Sequence, residues 1–183
     1  MDGERLVFNS MSEIMDGTGM GVIVLTDVDS TRALNIVCDA ADKDLIQYHV
    51  QRGLNVRPTL VRVMLQMLRD YTDLSTYSIY IFGITGGKYG VAVTKTETGD
   101  YSHRIRIEDA VLLSLVSGMP MYIDAELMKR QCTPYTAEHG CLSVPMNSIE
   151  TARLKEKLEE AVAKEDYLLA SLIKEELDHR GDV

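Results

Sequence analysis

The alternation of apolar and polar residues changes period several times along the chain, and each change marks an element. Leu6, Phe8 and Ser10 set against Val7 and Asn9 predict an opening strand, with a turn over Asp16-Gly17-Thr18-Gly19. Val22 to Thr26 and Ala33 to Cys38 are β-branched, apolar runs parted by Asp27-Val28-Asp29-Ser30, the signature of a hairpin. The period then becomes helical. A helix opening at Asp39 or Asp42 carries Leu45, Ile46, His49 and Val50 on its apolar side and ends at Gly53. Pro58 suits the first turn of a second helix, with Val61, Met64, Leu65 and Leu68 inward and Arg62, Gln66 and Arg69 opposite.

Period two returns from Tyr77 to Ile84 and from Tyr89 to Thr94, joined at Gly86-Gly87. After Thr98-Gly99-Asp100 it resumes from Tyr101 to Ile107, placing Tyr101, His103, Ile105 and Ile107 on one face. His103 is therefore expected as a core histidine with a hydrogen-bond partner, and His49 as a structural one. Glu108 and Asp109 open a third helix, where acids suit the positive end of the dipole, and Ala110 to Val116 is apolar enough to lie centrally. Gly118 fits a left-handed cap, Pro120 blocks continuation, and Met121 to Ile123 makes a short strand. No period holds from Gln131 to Asn147, which predicts a linker or a loop laid on the domain. Leu154, Leu158, Ala161 and Val162 then line one helix and Leu169, Leu172, Ile173 and Leu177 a second, which Asp166 can cap. The expected architecture is an α+β domain over residues 1–130, with a curved, largely antiparallel sheet and three packed helices. A linker at 131–150 and an antiparallel helical hairpin at 151–183 follow.

Composition narrows the setting. A chain of 183 residues, 45% apolar, builds one core and a small appendage; ten Met and no Trp make that core aliphatic. The net charge of −9 divides into −6 over residues 1–150 and −3 over 151–183, so neither part offers a broad basic cradle for nucleic acid. Arg57, Arg62 and Arg69 are the best local candidates for a basic patch. Met1 to Arg5 has no leader pattern, and Val111 to Val116 is too short to cross a bilayer. Three cysteines without a CxxC pair predict reduced thiols and a cytoplasmic location. Cys132, His139 and Cys141 match no common zinc spacing. Gly83-Ile84-Thr85-Gly86-Gly87-Lys88-Tyr89 falls one residue short of a phosphate loop and puts Tyr89 where Ser or Thr would meet magnesium, so a hairpin turn accounts for its glycines. The terminal hairpin is too small to be stable on its own core. Its stripe must pack on the first domain, a second copy or a partner, and a homo-oligomer is expected.

The order of hairpin, two helices introduced by Arg57-Pro58, β-hairpin, strand, apolar helix and short strand resembles the bifunctional nuclease (BFN) domain, from Val22-Ile23-Val24-Leu25 to Met121-Tyr122-Ile123. The tail from Leu154 to Ala170, with Glu165-Asp166-Tyr167 at its turn, resembles a UVR motif, a helical hairpin that contacts another protein in nucleotide-excision-repair subunits. The resemblance implies phosphodiester hydrolysis on DNA or RNA assisted by a divalent ion, magnesium or manganese, and a protein-binding tail. Arg106, Asp109 and Ala110 keep the family's Asp-x-Arg-Pro-Ser-Asp-Ala pattern, while Arg104 replaces its leading Asp. Asp42 stands for a family Glu, and Thr59-Leu60-Val61-Arg62 stands where the family has Leu-Thr-His-Asp. Carried over, Asp42 and Asp109 are the catalytic candidates, as base or towards the metal, and Arg57 and Arg106 the phosphate binders. The competing account makes Asp42 and Asp109 first-turn helix acids and Arg106 the partner of Asp109. Two functions follow. The retained Arg106 and Asp109 point to a nuclease; the lost Thr-His-Asp and the acidic surface point to a noncatalytic adaptor that associates through its hairpin.

Overall fold

The computed structural model describes residues 3–14, 18–51, 58–98, 101–135 and 145–181. The first three strands, β1 (Gly3–Glu13), β2 (Gly21–Asp27) and β3 (Arg32–Cys38), form an antiparallel meander. Every residue of β2 is buried, and its apolar run from Val22 to Leu25 suits a strand covered on both faces. Ile23 and Leu25 join the main core, while Val22 and Val24 meet Ala33 in a smaller core with Ile14, Val37 and Tyr135. β4 (Tyr77–Thr85) and β5 (Lys88–Lys95) form the expected hairpin, and β6 (Tyr101–Ile105) adds to it. Gly86 and Gly87 both have positive φ, 57° and 77°, the geometry a two-residue hairpin turn demands. β7 (Met121–Asp124) lies between the two groups, parallel to β4 and antiparallel to β1, and β8 (Thr133–Pro134) pairs with β3. The described strands form one open sheet in the order β6-β5-β4-β7-β1-β2-β3-β8.

Four helices serve the main core: α1 (Ala40–Val50), α2 (Leu60–Arg69), α3 (Ile107–Ser117) and α4 (Ala125–Gln131). The fold is α+β with a largely antiparallel sheet, as expected, but α4 is a fourth helix where three were anticipated. Asp124 starts it by accepting from the Leu127 amide at 3.0 Å, and Leu127 and Met128 are buried. Ile107 belongs to α3, since the chain turns helical one residue after β6 and buries Ile107 as the first residue of that helix. β6 is one of the two edge strands of the described sheet, and His103 on it is exposed instead of buried. Gly118 ends α3 in the left-handed conformation, φ 81°.

Two helices present different sides from those their apolar pattern suggested. In α1 the inward residues are Lys43, Ile46 and His49, while Leu45 and Val50 are exposed. The Lys43 stem lies over Gly21, where a Cβ would come within 2.8 Å of it, and its ammonium reaches Glu13 at 3.0 Å. His49 Nε2 and Thr59 Oγ1, 3.0 Å apart, join the end of α1 to the start of α2. Pro58 precedes the Thr59 cap and so lies outside the first turn of α2. In α2 itself only Leu65 is buried; Met64 and Leu68 point outward.

The chain ends in the expected antiparallel hairpin of α5 (Thr151–Ala163) and α6 (Tyr167–Gly181), closed on Leu154, Ala161, Ala170 and Ile173. Val162, Leu169 and Leu172 are exposed rather than interior. Asp166 caps α6 by accepting from the Leu169 amide at 3.1 Å. Arg180 pins the open end by donating to the carbonyls of Ile149 at 2.7 Å and Met146 at 2.9 Å. Asn147 Nδ2 donates to Gly87 O at 3.5 Å and ties this region to the β4–β5 turn. No described helix is long and apolar enough to cross a membrane. Gly17, Gly53, Gly99, Asp100, His139 and Cys141 lie outside the described residues.

Asp27 closes the β2–β3 turn by accepting from Thr31 N and Oγ1, both at 2.7 Å, and from Arg32 Nε at 3.1 Å; Arg32 also binds Glu4 of β1. Burial pushes the carboxyl up, but the Thr31 and Arg32 hydrogen bonds outweigh it and hold it at about 2, down from 3.8. A folded-state value below the unfolded one contributes stability that is complete above about pH 4 and is lost as pH falls towards 2. Asp27→Asn is therefore expected to lower the urea midpoint at pH 7 and to flatten its decline between pH 4 and 2. Parallel pH profiles for the two proteins would contradict this.

Candidate functional site

Two helix N-termini meet beside the β6–α3 junction. Asp42 is the third residue of α1, after the Asp39 cap, and Asp109 the third residue of α3, after Arg106. Both carboxylates thus sit in first turns, where the helix dipole favours negative charge. Arg106 stays extended, φ −69° and ψ 154°, and swings its guanidinium between them. Its Nε and Nη2 donate to Asp109 at 2.9 and 3.2 Å, and its Nη1 and Nη2 to Asp42 at 3.1 and 3.2 Å. A guanidinium has five N–H donors, so one Nη1 donor is left. The Arg106 side chain is 59% exposed, whereas that of Asp42 beneath it is 14% exposed. Asp109 first and Asp42 second raise the pKa of Arg106 well above its ordinary value.

Glu108, between Arg106 and Asp109, is half-buried. Burial is the chief reason its carboxyl lies above the ordinary range. Asp42 and Asp109 raise it further, while its own backbone hydrogen bond and Arg106 oppose the shift. Behind it the Cys38 thiol is pushed up to about 11 by burial, with Glu108 and Asp42 adding to the effect, so it stays protonated and unreactive.

Arg106, Glu108 and Asp109 open onto a cleft of about 1150 Å³ between the sheet domain and the hairpin. Lys88 and Arg104 line it from β5 and β6, and Thr151 and Arg180 from the hairpin. Arg104 lies over the Phe82 ring, 5.4 Å from its centroid, which orients the guanidinium. The Tyr89 hydroxyl and the Asn147 side chain are buried at this cleft; burial raises the Tyr89 pKa, and the neighbouring Asn147 side chain works against that shift.

Three of the four residues singled out in the sequence thus converge: Asp42, Arg106 and Asp109 form one ion-pair trio. Arg57 lies outside the described residues. The donor set does not fit the divalent ion that the resemblance implied. Both aspartates are bound by Arg106, and among the described residues no group of three His, Cys, Asp or Glu is arranged to hold a metal.

The family model described as the bifunctional nuclease domain matches residues 23–136, more than half of the 183-residue chain. The chain belongs to the bifunctional nuclease domain family. The matched stretch contains Asp42, Arg106, Glu108 and Asp109 and stops before the hairpin, so the cleft combines a wall of the bifunctional nuclease domain with a second wall from outside it. No curated protein matches the chain. In the sequence Glu108 reads only as a helix opener, and Arg104 only as a strand residue that replaces the family's leading Asp. The signal was their place on either side of Arg106, in the segment that carries the bifunctional nuclease pattern.

The exposure of Arg106 bounds what the trio contributes to stability. Arg106→Ala is expected to lower the unfolding free energy by about 1 kcal/mol or less, since water screens exposed ion pairs. A loss above about 3 kcal/mol in urea titration would instead mark a buried structural pair.

Proposed function

We propose that this bifunctional nuclease domain hydrolyses phosphodiester bonds of DNA or RNA in the cleft between sheet and hairpin. The observation that carries the proposal is the meeting of both signs of charge at one cleft. Glu108, beside the Asp42-Arg106-Asp109 trio, and the cations Lys88 and Arg104 all line it from the sheet domain, opposite the hairpin. A phosphodiester needs cations for its oxygens and a base for the attacking water. Lys88 and Arg104 neutralise the phosphoryl oxygens, and the remaining donor of Arg106 adds a hydrogen bond. Glu108 takes the proton of the water as its oxygen bonds to phosphorus; the ester P–O bond breaks, and the proton passes to the leaving oxygen. A carboxyl raised above its usual range is the better base of the acids here. Asp42 and Asp109, committed to Arg106, act as positioning residues.

Glu108→Gln is expected to reduce cleavage of single- and double-stranded DNA and RNA by about 10²–10⁴-fold, the usual worth of a general base. The base must be ionised, so the rate rises with pH through an inflection above the ordinary Glu value of 4.5, and Glu108→Gln removes that inflection. Arg104→Ala should raise KM more than it lowers kcat. Reactions run with magnesium, manganese or chelator report whether an added ion contributes. Cleavage by Glu108→Gln equal to that of the parent would sink the assignment.

A second role is supported by the surface of the hairpin. Val162, Tyr167, Leu168 and Leu172 are exposed apolar side chains around its turn and along α6. This is the kind of patch a UVR-like hairpin offers to another protein. None of these four residues lines the cleft, so the two roles are compatible.

A further inference from the structure

Arg104 is supported in a way that an ordinary surface cation is not. Ile81 pairs with Val91 and Gly83 with Gly90, so Phe82 is the extra residue of a β-bulge in β4 and leaves the regular alternation of the strand. Its ring lies across Gly90, where a Cβ would come within 2.6 Å of it and push it aside. Arg104 of β6 lies over that ring, 5.4 Å from its centroid. Bulge, glycine and ring thus build a support for one guanidinium, and Phe82 takes no part in the main core. Phe82 does not line the cleft, whereas Arg104 lines it and is exposed. The ring covers one face of the guanidinium and leaves the other to the cleft.

We infer that this open face is a platform for an unpaired nucleobase, and that the cleft takes single-stranded DNA or RNA in preference to duplex. The inference rests on the reading of the cleft as a phosphodiester site and adds the form of its substrate. A guanidinium donates hydrogen bonds in its plane and stacks through its faces, so Arg104 can hold a phosphate oxygen and a base together. A base reaches such a face only when it is out of a helix, since within a duplex its own faces are already stacked. The hairpin adds a steric reason. The Asn147 carbonyl would meet a Cβ on Gly87 at 2.6 Å, so the segment leading into the hairpin touches the β4–β5 turn beside Lys88. The enclosed volume of about 1150 Å³ is close to the roughly 300–1,000 Å³ of a small-molecule pocket, room for a few nucleotides of one strand. A duplex carries one charge per about 1.7 Å of its axis, which a chain of net charge −9 repels wherever it lies outside the cleft.

The test separates the base from the phosphate. Fluorescence anisotropy of the full chain carrying Glu108→Gln is measured with short labelled single strands of DNA and of RNA, with their duplexes, and with the same strands lacking bases. A single strand is expected to bind about tenfold or more above its duplex, and about 5- to 150-fold above its abasic form, the worth of one stacked base. Arg104→Lys keeps the charge but loses the planar face, and should abolish the preference over the abasic strand. Phe82→Leu removes the ring beneath the guanidinium and should reduce that preference. Both variants should bind the abasic strand as the unsubstituted chain does, a result that a merely structural role for Phe82 would not give. Equal affinity for single strand and duplex, equal affinity for normal and abasic strands, or an equal loss on both strands in Arg104→Lys would overturn the inference. Base-dependent binding of single strands by a chain that cleaves none of them would support the platform and defeat only the hydrolytic reading. Absence of nucleic-acid binding would defeat both.

Discussion

The burial of one side of α3 fixes the position of everything chemical in this protein. Ile107, Ala110, Val111 and Leu112 are almost wholly removed from water, and α3 packs on α1, α2 and β5 together. Each large side chain buried in this way contributes about 1.5–3 kcal/mol before chain entropy is counted. The apolar contact leaves α3 little freedom to rotate, so its first turn is aimed by the core behind it. Arg106, Glu108 and Asp109 are three consecutive or nearly consecutive residues at that end, and their directions follow from the seating of the helix. Asp42 is then met because α1 packs on the same helix.

This also explains which parts were legible from residue order. β2 and α3 show themselves because a strand covered on both faces and a central helix have no polar side, and few alternatives suit such runs. α2 misleads for the opposite reason. Apolar residues occupy two of its sides, and periodicity cannot say which of them faces inward. In α1 the inward position belongs to Lys43, whose stem behaves as an apolar group lying on Gly21 while its charge reaches Glu13. α4 is short, and its evidence is a single capping aspartate. His103 was placed inward by alternation, which does not reveal that β6 is an edge. As for the site, the 64-residue separation of Asp42 and Arg106 hides their contact from any local pattern. Family resemblance found those positions. Glu108 stayed hidden because its distinction lies in burial and neighbours, not in spacing.

The electrostatics of the cleft reflect an acidic protein that handles charge locally. Asp42, Arg106 and Asp109 together carry one net negative charge, which would repel a phosphate if nothing else were near. Lys88 and Arg104 line the same cleft from β5 and β6, so positive charge stands beside the trio and offsets it. Arg180 has a mechanical duty at the same place. It neutralises Glu176 and fastens the hairpin by its donors to Ile149 and Met146. One arginine therefore organises acids on the domain wall, and another holds the opposite wall in place.

The place of β7 in the sheet has a consequence for how the chain is made. Two antiparallel groups, β1-β2-β3 and β4-β5-β6, can each zip up from neighbouring segments as they leave the ribosome. Neither can join the other until Met121–Asp124 emerges and slots between β1 and β4. Between the completion of β6 and the arrival of β7 the nascent protein carries two half-sheets with raw edges. A strand of four residues, arriving late, is the stitch that turns them into one molecule.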